Sequence, residues 1–128
     1  MIALLIMLTL LVVLRWTHLA ESWFFYFPSR EVFATPPTYQ DITFQTADGR
    51  TLHAWFMPAP GASASNPGPA VLHVHGNAGN IASHAGFSDY LPRHGVSVLI
   101  FDYRGYGRSD SGWRNRKTLM RDSLAAFE

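Results

Sequence analysis

Val96 to Phe101 is apolar throughout except for Ser97, and it is bounded by Gly95 and Asp102. A short run without polar alternation fits a strand buried on both faces, as in a parallel sheet covered by helices. The neighbouring segments agree. Ala70 to His75 reads as a second short strand, which opens into Gly76-Asn-Ala-Gly-Asn80. Ile81, Ala85, Ser88 and Leu91 then keep helical spacing, with Asn80 as N-cap and Gly95 just past the end. A last helix is predicted to start near Lys117, with Leu119, Met120, Leu124 and Phe127 as its apolar positions. Upstream, Asp41 to Thr46 alternates as a strand does, and Ala47-Asp-Gly49 supplies a hairpin turn. Thr51 to Met57 returns with Leu52, Ala54 and Phe56 on one face. Residues 58–69 carry no periodicity and four prolines, the mark of a surface loop. Hairpin, strand, helix, buried strand, helix is an α/β order with parallel strands.

The N-terminal end has a different texture. Residues 1–14 contain one non-apolar residue, Thr9. As a helix this run covers about 21 Å, short of a hydrocarbon core of roughly 30 Å, and continuing to Ala20 reaches about 30 Å if Arg15 extends to the headgroups. Trp16, Trp23, Phe24, Phe25, Tyr26 and Phe27 cluster where an interfacial aromatic belt belongs, and Pro28 ends the segment. The expected organisation is a single-pass membrane anchor over 1–27, a linker over 28–39 and a partial α/β domain over 40–128. A cleaved secretory signal ending near Ala20-Glu21-Ser22 is the competing reading. Arg15 and Arg30 leave the orientation across a membrane open.

Charge and cysteine content narrow the function classes. Charged residues make up 15% and the net charge is +1, which excludes a highly charged nucleic-acid-binding chain. Six of the ten basic residues nevertheless fall between Arg104 and Arg121, a stretch that reads as a solvated helix start or as a contact for anionic lipid. The chain has no cysteine, so thiolate nucleophiles, thiolate metal sites and lipidated cysteines are excluded.

Two segments can carry chemistry. In His75-Gly-Asn-Ala-Gly-Asn80 a strand ends in a loop of small residues, and Gly76 leaves room for N–H groups near Asn77 to face a cleft. Fixed donors of that kind are what an oxyanion hole requires. The second segment, Asp102-Tyr-Arg-Gly-Tyr-Gly-Arg-Ser109, ends the buried strand. Together they resemble the α/β-hydrolase superfamily, and most of all its membrane-anchored, bud-emergence-like serine hydrolases, whose relatives include abhydrolase-domain depalmitoylases. The resemblance also takes in Phe24-Phe25-Tyr26 and Ala47-Asp-Gly49, and it covers residues 40–128 strongly and 20–39 loosely. It implies the N-terminal half of an α/β-hydrolase fold, no cofactor, and action on ester, thioester or peptide bonds of a small-molecule or acylated substrate. It assigns one backbone N–H of the oxyanion hole to Asn77, with Gly76 allowing the approach. His75, Gly79, Asp102, Arg104, Gly105 and Gly107 are implied to hold the floor of the site, Arg104 as a structural ion-pair partner.

The sequence departs from that family in one respect. The nucleophile elbow, G-x-S-x-G on a strand-to-helix turn, does not occur in these 128 residues. The resemblance places it, the acid and the general-base His further along, so these residues alone are expected to be inactive. Gly107-Arg-Ser109-Asp-Ser111 fits small-x-Ser-x-small but follows the wrong strand. In the family the third strand lies between the fourth and the fifth, so Ala70 to His75 is expected to be an unpaired apolar edge here, and residues 35–128 alone to be insoluble or molten. A short membrane-bound binding or assembly module is the alternative from another class. His73 and His75 form His-x-His, a spacing some metal-dependent hydrolases use, yet Asn77 and Ala78 stand where such a site wants Asp and His. His18, His53, His84 and His94 are scattered, and no phosphate loop or complete dinucleotide fingerprint is present.

Overall fold

The computed structural model describes residues 2–128. The side chains at 14 and 16–19 lie outside that description, and with them the reading of Trp16 as a belt residue and the scattered His18.

The elements in chain order are α1 (Ile2–Phe24), β1 (Phe27–Pro28), β2 (Gln40–Gln45), β3 (Thr51–Met57), β4 (Ala70–His73), β5 (Ala78–Gly79), α2 (Ile81–His84), β6 (Ser97–Phe101) and α3 (Arg116–Phe127). One sheet has the order β2-β3-β6-β4. The hairpin β2–β3 is antiparallel, β3 joins β6 antiparallel with Ala54 opposite Phe101, and β4 joins β6 parallel with His73 opposite Ile100. β1 and β5 form a separate parallel pair, Phe27 opposite Ala78 and Pro28 opposite Gly79.

The sheet separates two apolar layers. On one side Trp55, Met57, Val98 and Ile100 pack with Ile81 and Ala85. On the other Leu52, Ala54, Phe101, Tyr103 and Tyr106 pack with Leu119 and Ala126 of α3. Each fully buried aliphatic or aromatic side chain contributes about 1.5–3 kcal/mol, so these layers hold the sheet between its helices.

Three local expectations change. β3 buries both faces, not one: His53, Trp55 and Met57 are buried, and Phe56 is only half-buried. The reason is that both sides of the sheet are covered: Trp55 and Met57 belong to one apolar layer, Leu52 and Ala54 to the other. The helix predicted from Ile81 to Leu91 is a single turn followed by short 3-10 turns at Ala85–Phe87 and Pro92–His94. Gly86 and Ser88 propagate a helix poorly and Pro92 cannot continue one, while the periodic positions Ile81, Ala85 and Ser88 are still buried. Tyr26 turns from the aromatic belt into the layer beneath α3.

α1 leaves Ile2 to Val13 exposed. That run covers about 18 Å, and no helix among the described residues is long and apolar enough to cross a membrane, so the single-pass anchor expected over 1–27 is not seen.

Candidate functional site

β4 and β6 run in the same direction, so the loops that leave their carboxyl ends meet at one edge of the sheet. In open α/β sheets this edge is where ligands bind. The loop after β4 holds His75 to Asn80, and the loop after β6 holds Asp102 to Asp110.

Asp102 is the hub of the second loop and is 1% exposed. Its Oδ1 accepts the Ile81 N–H at 2.9 Å, the first free donor of α2. His53 Nδ1 stands 3.7 Å from Oδ2, and His75 Nε2 stands 3.6 Å from Oδ1. Both ring nitrogens are buried without a closer partner among the described residues. Burial works to raise the Asp102 pKa; His53, His75 and the Ile81 N–H outweigh it and hold the carboxyl below its usual range. Gly107 sits beside this carboxylate at φ +44°, and a Cβ there would strike the Asp102 side chain. Glycine is required at that position for space as well as for backbone angle.

The remaining residues of the second loop lock it down. Ser109 is fully buried, its Oγ donating to the Asp102 carbonyl at 2.6 Å and accepting the His53 N–H at 2.9 Å. That hydroxyl is committed to the backbone and has no access to a substrate. Arg104 is 4% exposed, and its Nη2 and Nη1 pair with Asp122 at 2.6 Å and Asp48 at 2.8 Å. These contacts, Asp48 foremost, raise its pKa, so the guanidinium is a permanent tie among the hairpin turn, the loop and α3. Gly105 donates its N–H to the Asp110 carbonyl at 2.7 Å.

The first loop is held from two sides. His75 is buried, donates from Nδ1 to the Gly76 carbonyl at 2.7 Å, and packs against the rings of His84, Tyr103 and Tyr106. The Asn77 carbonyl accepts the Tyr106 hydroxyl at 2.7 Å and the Phe27 N–H at 2.8 Å. Burial pushes the Tyr106 pKa up to about 12, so the donor proton is retained across the working pH range. Ser29 N–H reaches the Gly79 carbonyl at 2.8 Å, and Gly79 holds φ +76° with no room for a Cβ beside Ser83. Gly76 and Asn77 are exposed, and neither N–H meets an acceptor among the described residues. Two fixed, unpartnered donors at the carboxyl end of a strand can stabilise a developing oxyanion.

His73 and His75 each bond to a different partner. His73 Nδ1 shares a 2.7 Å hydrogen bond with Ser88 Oγ. Among the described residues no group of three or more His, Cys, Asp or Glu side chains could hold a metal ion. A pocket of about 400 Å³ lies elsewhere, beneath residues 58–69, and is lined by Phe56, Pro58 and Ala70 without an ionisable group. Sequence reasoning missed the part played by His53. It meets Asp41 Oδ1 at 2.7 Å as well as Asp102, and Arg108 closes on Asp41. The available signal was a histidine between Leu52 and Ala54, inside a strand too apolar to face water.

Residues 69–127 match the family model for the α/β hydrolase fold. The fold is that of the α/β-hydrolase superfamily. The uncharacterised protein YfhR of Salmonella typhi is 39% identical over 105 residues, 81% of this chain and 36% of that protein. An esterase of Pyrococcus furiosus superposes with a TM-score of 0.64 at 22% identity, over 81% of this chain and 40% of its own. The α/β hydrolase GrgF of a Penicillium species gives 0.53 at 30% identity, over 73% and 32%. The chain thus spans little more than a third of the curated relative's length. Within that span lie the four-stranded sheet and the two loops that leave the carboxyl ends of β4 and β6.

Proposed function

We propose that this chain supplies the N-terminal portion of a membrane-attached serine hydrolase that cleaves ester, thioester or peptide bonds. The observation that carries the reading is the exposed pair of N–H groups at Gly76 and Asn77, without an acceptor among the described residues, in the loop whose His75 stands 3.6 Å from buried Asp102. A nucleophile, an acid and a general-base His are supplied by sequence outside these 128 residues. Attachment is through the exposed apolar half of α1, Ile2 to Val13.

A fluorophosphonate probe, which reacts only with a base-activated serine, provides the test. The 128-residue chain should stay unlabelled, and the protein read from the same locus past Glu128 should label. In that longer protein Asn77→Pro removes the N–H and should lower kcat by about 10²–10³ with a much smaller change in KM. Labelling of the 128 residues themselves, or a kcat indifferent to the substitution, would overturn the reading. The second reading, a membrane-bound assembly module, draws on β4 at the sheet edge and on the exposed Met120, Leu124 and Phe127 of α3. It expects a stoichiometric partner protein to leave the membrane with the detergent-solubilised chain.

A further inference from the structure

Resting on the proposed attachment through α1, we infer that the start of α3 forms a second membrane contact, one selective for anionic phospholipid. The base of α1 is bonded to this segment: Arg114 N–H donates to Ser22 Oγ at 3.3 Å, and Arg116 N–H donates to Glu21 Oε1 at 3.2 Å. Ser22 is 2% exposed, so the two elements are packed together there. Around that joint the surface is aromatic and basic. Trp23, Phe24 and Trp113 are exposed by more than half, and Arg15, Arg116 and Lys117 are exposed.

Helix geometry puts Arg15 with this cluster. It precedes Ser22 by seven residues, so it lies on the same face of α1, about 10 Å further along the axis. At the joint Glu21 accepts the Arg116 N–H, and the N-terminal end of the twelve-residue α3 adds partial positive charge. Exposed tryptophans suit the headgroup layer, and clustered Arg and Lys beside a membrane-inserted segment attract anionic lipid. α1 supplies hydrophobic attachment to any bilayer, and the α3 start supplies headgroup preference. The charge complementarity commits this surface to a bilayer of anionic phospholipid.

The test is flotation of the full chain with vesicles of phosphatidylcholine, and with vesicles of phosphatidylcholine mixed with phosphatidylglycerol. Partitioning should favour the anionic vesicles, on the order of five-fold for each cation engaged. The variant R116Q/K117Q should lose roughly 25-fold on anionic vesicles while binding phosphatidylcholine as before. High salt should remove the same preference, since the Debye length falls from about 10 Å at 0.1 M to about 3 Å at 1 M. Unchanged near-ultraviolet circular dichroism shows the variant folded. Equal partitioning on the two vesicles, or a preference that survives R116Q/K117Q, would overturn the inference while leaving attachment through α1 intact. Binding to neither vesicle would overturn the attachment itself. Binding to soluble polyglutamate, with no vesicle preference, would assign the surface to an acidic polypeptide and overturn the lipid partner.

Discussion

Asp102 joins both loops of the site, because it caps the Ile81 N–H of α2, faces two histidines and needs Gly107 to make room. Asp102→Asn keeps an acceptor for the Ile81 N–H and removes the charge. We expect it to cost about 1.5–3 kcal/mol near neutral pH, the range for hydrogen bonds to a charged group. The carboxyl is held low in the fold, so its contribution is complete above the unfolded value of about 3.9 and disappears as pH falls through the folded value. Urea unfolding in detergent, followed from pH 7 towards pH 3, should therefore bring variant and wild type together at the acid end. His73 gives a separate, earlier acid limb. Burial, then His75 and His84, lowers its pKa, so the fold favours the neutral ring. Its stabilisation is whole above about 6.5 and is lost as pH falls from there towards the folded value. Replacing His73 by Asn should flatten the stability profile just below pH 6.5 and leave the lower limb, which belongs to Asp102, in place.

The element scale is governed by how α3 is docked. Its apolar positions do less than its sequence suggests: Met120, Leu124 and Phe127 are exposed, and Leu119 and Ala126 are the ones packed on the sheet. The buried Asp122, fully enclosed, binds the Arg104 side chain and its N–H instead. Asp122→Ala would leave the buried Arg104 guanidinium with Asp48 as its remaining carboxylate and the Arg104 N–H without its acceptor, for which a loss of about 3 kcal/mol is expected. Asn115→Ala, which removes the cap accepting the Thr118 N–H, should cost only about 1 kcal/mol. Thermal melts of the two variants test that ranking, and a milder effect from Asp122→Ala would show that apolar contacts seat the helix. The asymmetry also explains what was legible in the sequence. Asn80 as a cap, the hairpin turn and the doubly buried β6 all follow from local rules, whereas the Asn115 cap emerges only in the structure. The burial of His53 and Asp122 does not, because each is set by a partner far along the chain.

At the scale of the whole molecule, the two loops at the ligand edge were readable from their motifs. The segment that ties them was not. Residues 27–31 look like the end of an aromatic run and the start of a linker, yet they bond to Asn77, Gly79, Asn80 and Gly107 across the sheet edge. Nothing in their composition encodes that path, since residues 27–31 contribute only main-chain groups to these four contacts. The far edge is the opposite case. Among the described residues β4 is the last strand of the sheet, and Val71 within it and Val74 just after it are exposed. An apolar strand with free N–H and C=O groups is a template for a second chain. The chain in detergent should therefore associate as its concentration rises, and Val71→Lys with Val74→Lys should keep it monomeric, as charged edges do in natural sheets. Light scattering across a dilution series decides this. Association that persists in the lysine variant would move the contact away from β4 to the exposed face of α3. Replacing Leu124 and Phe127 by polar residues would then be the change that dissolves it.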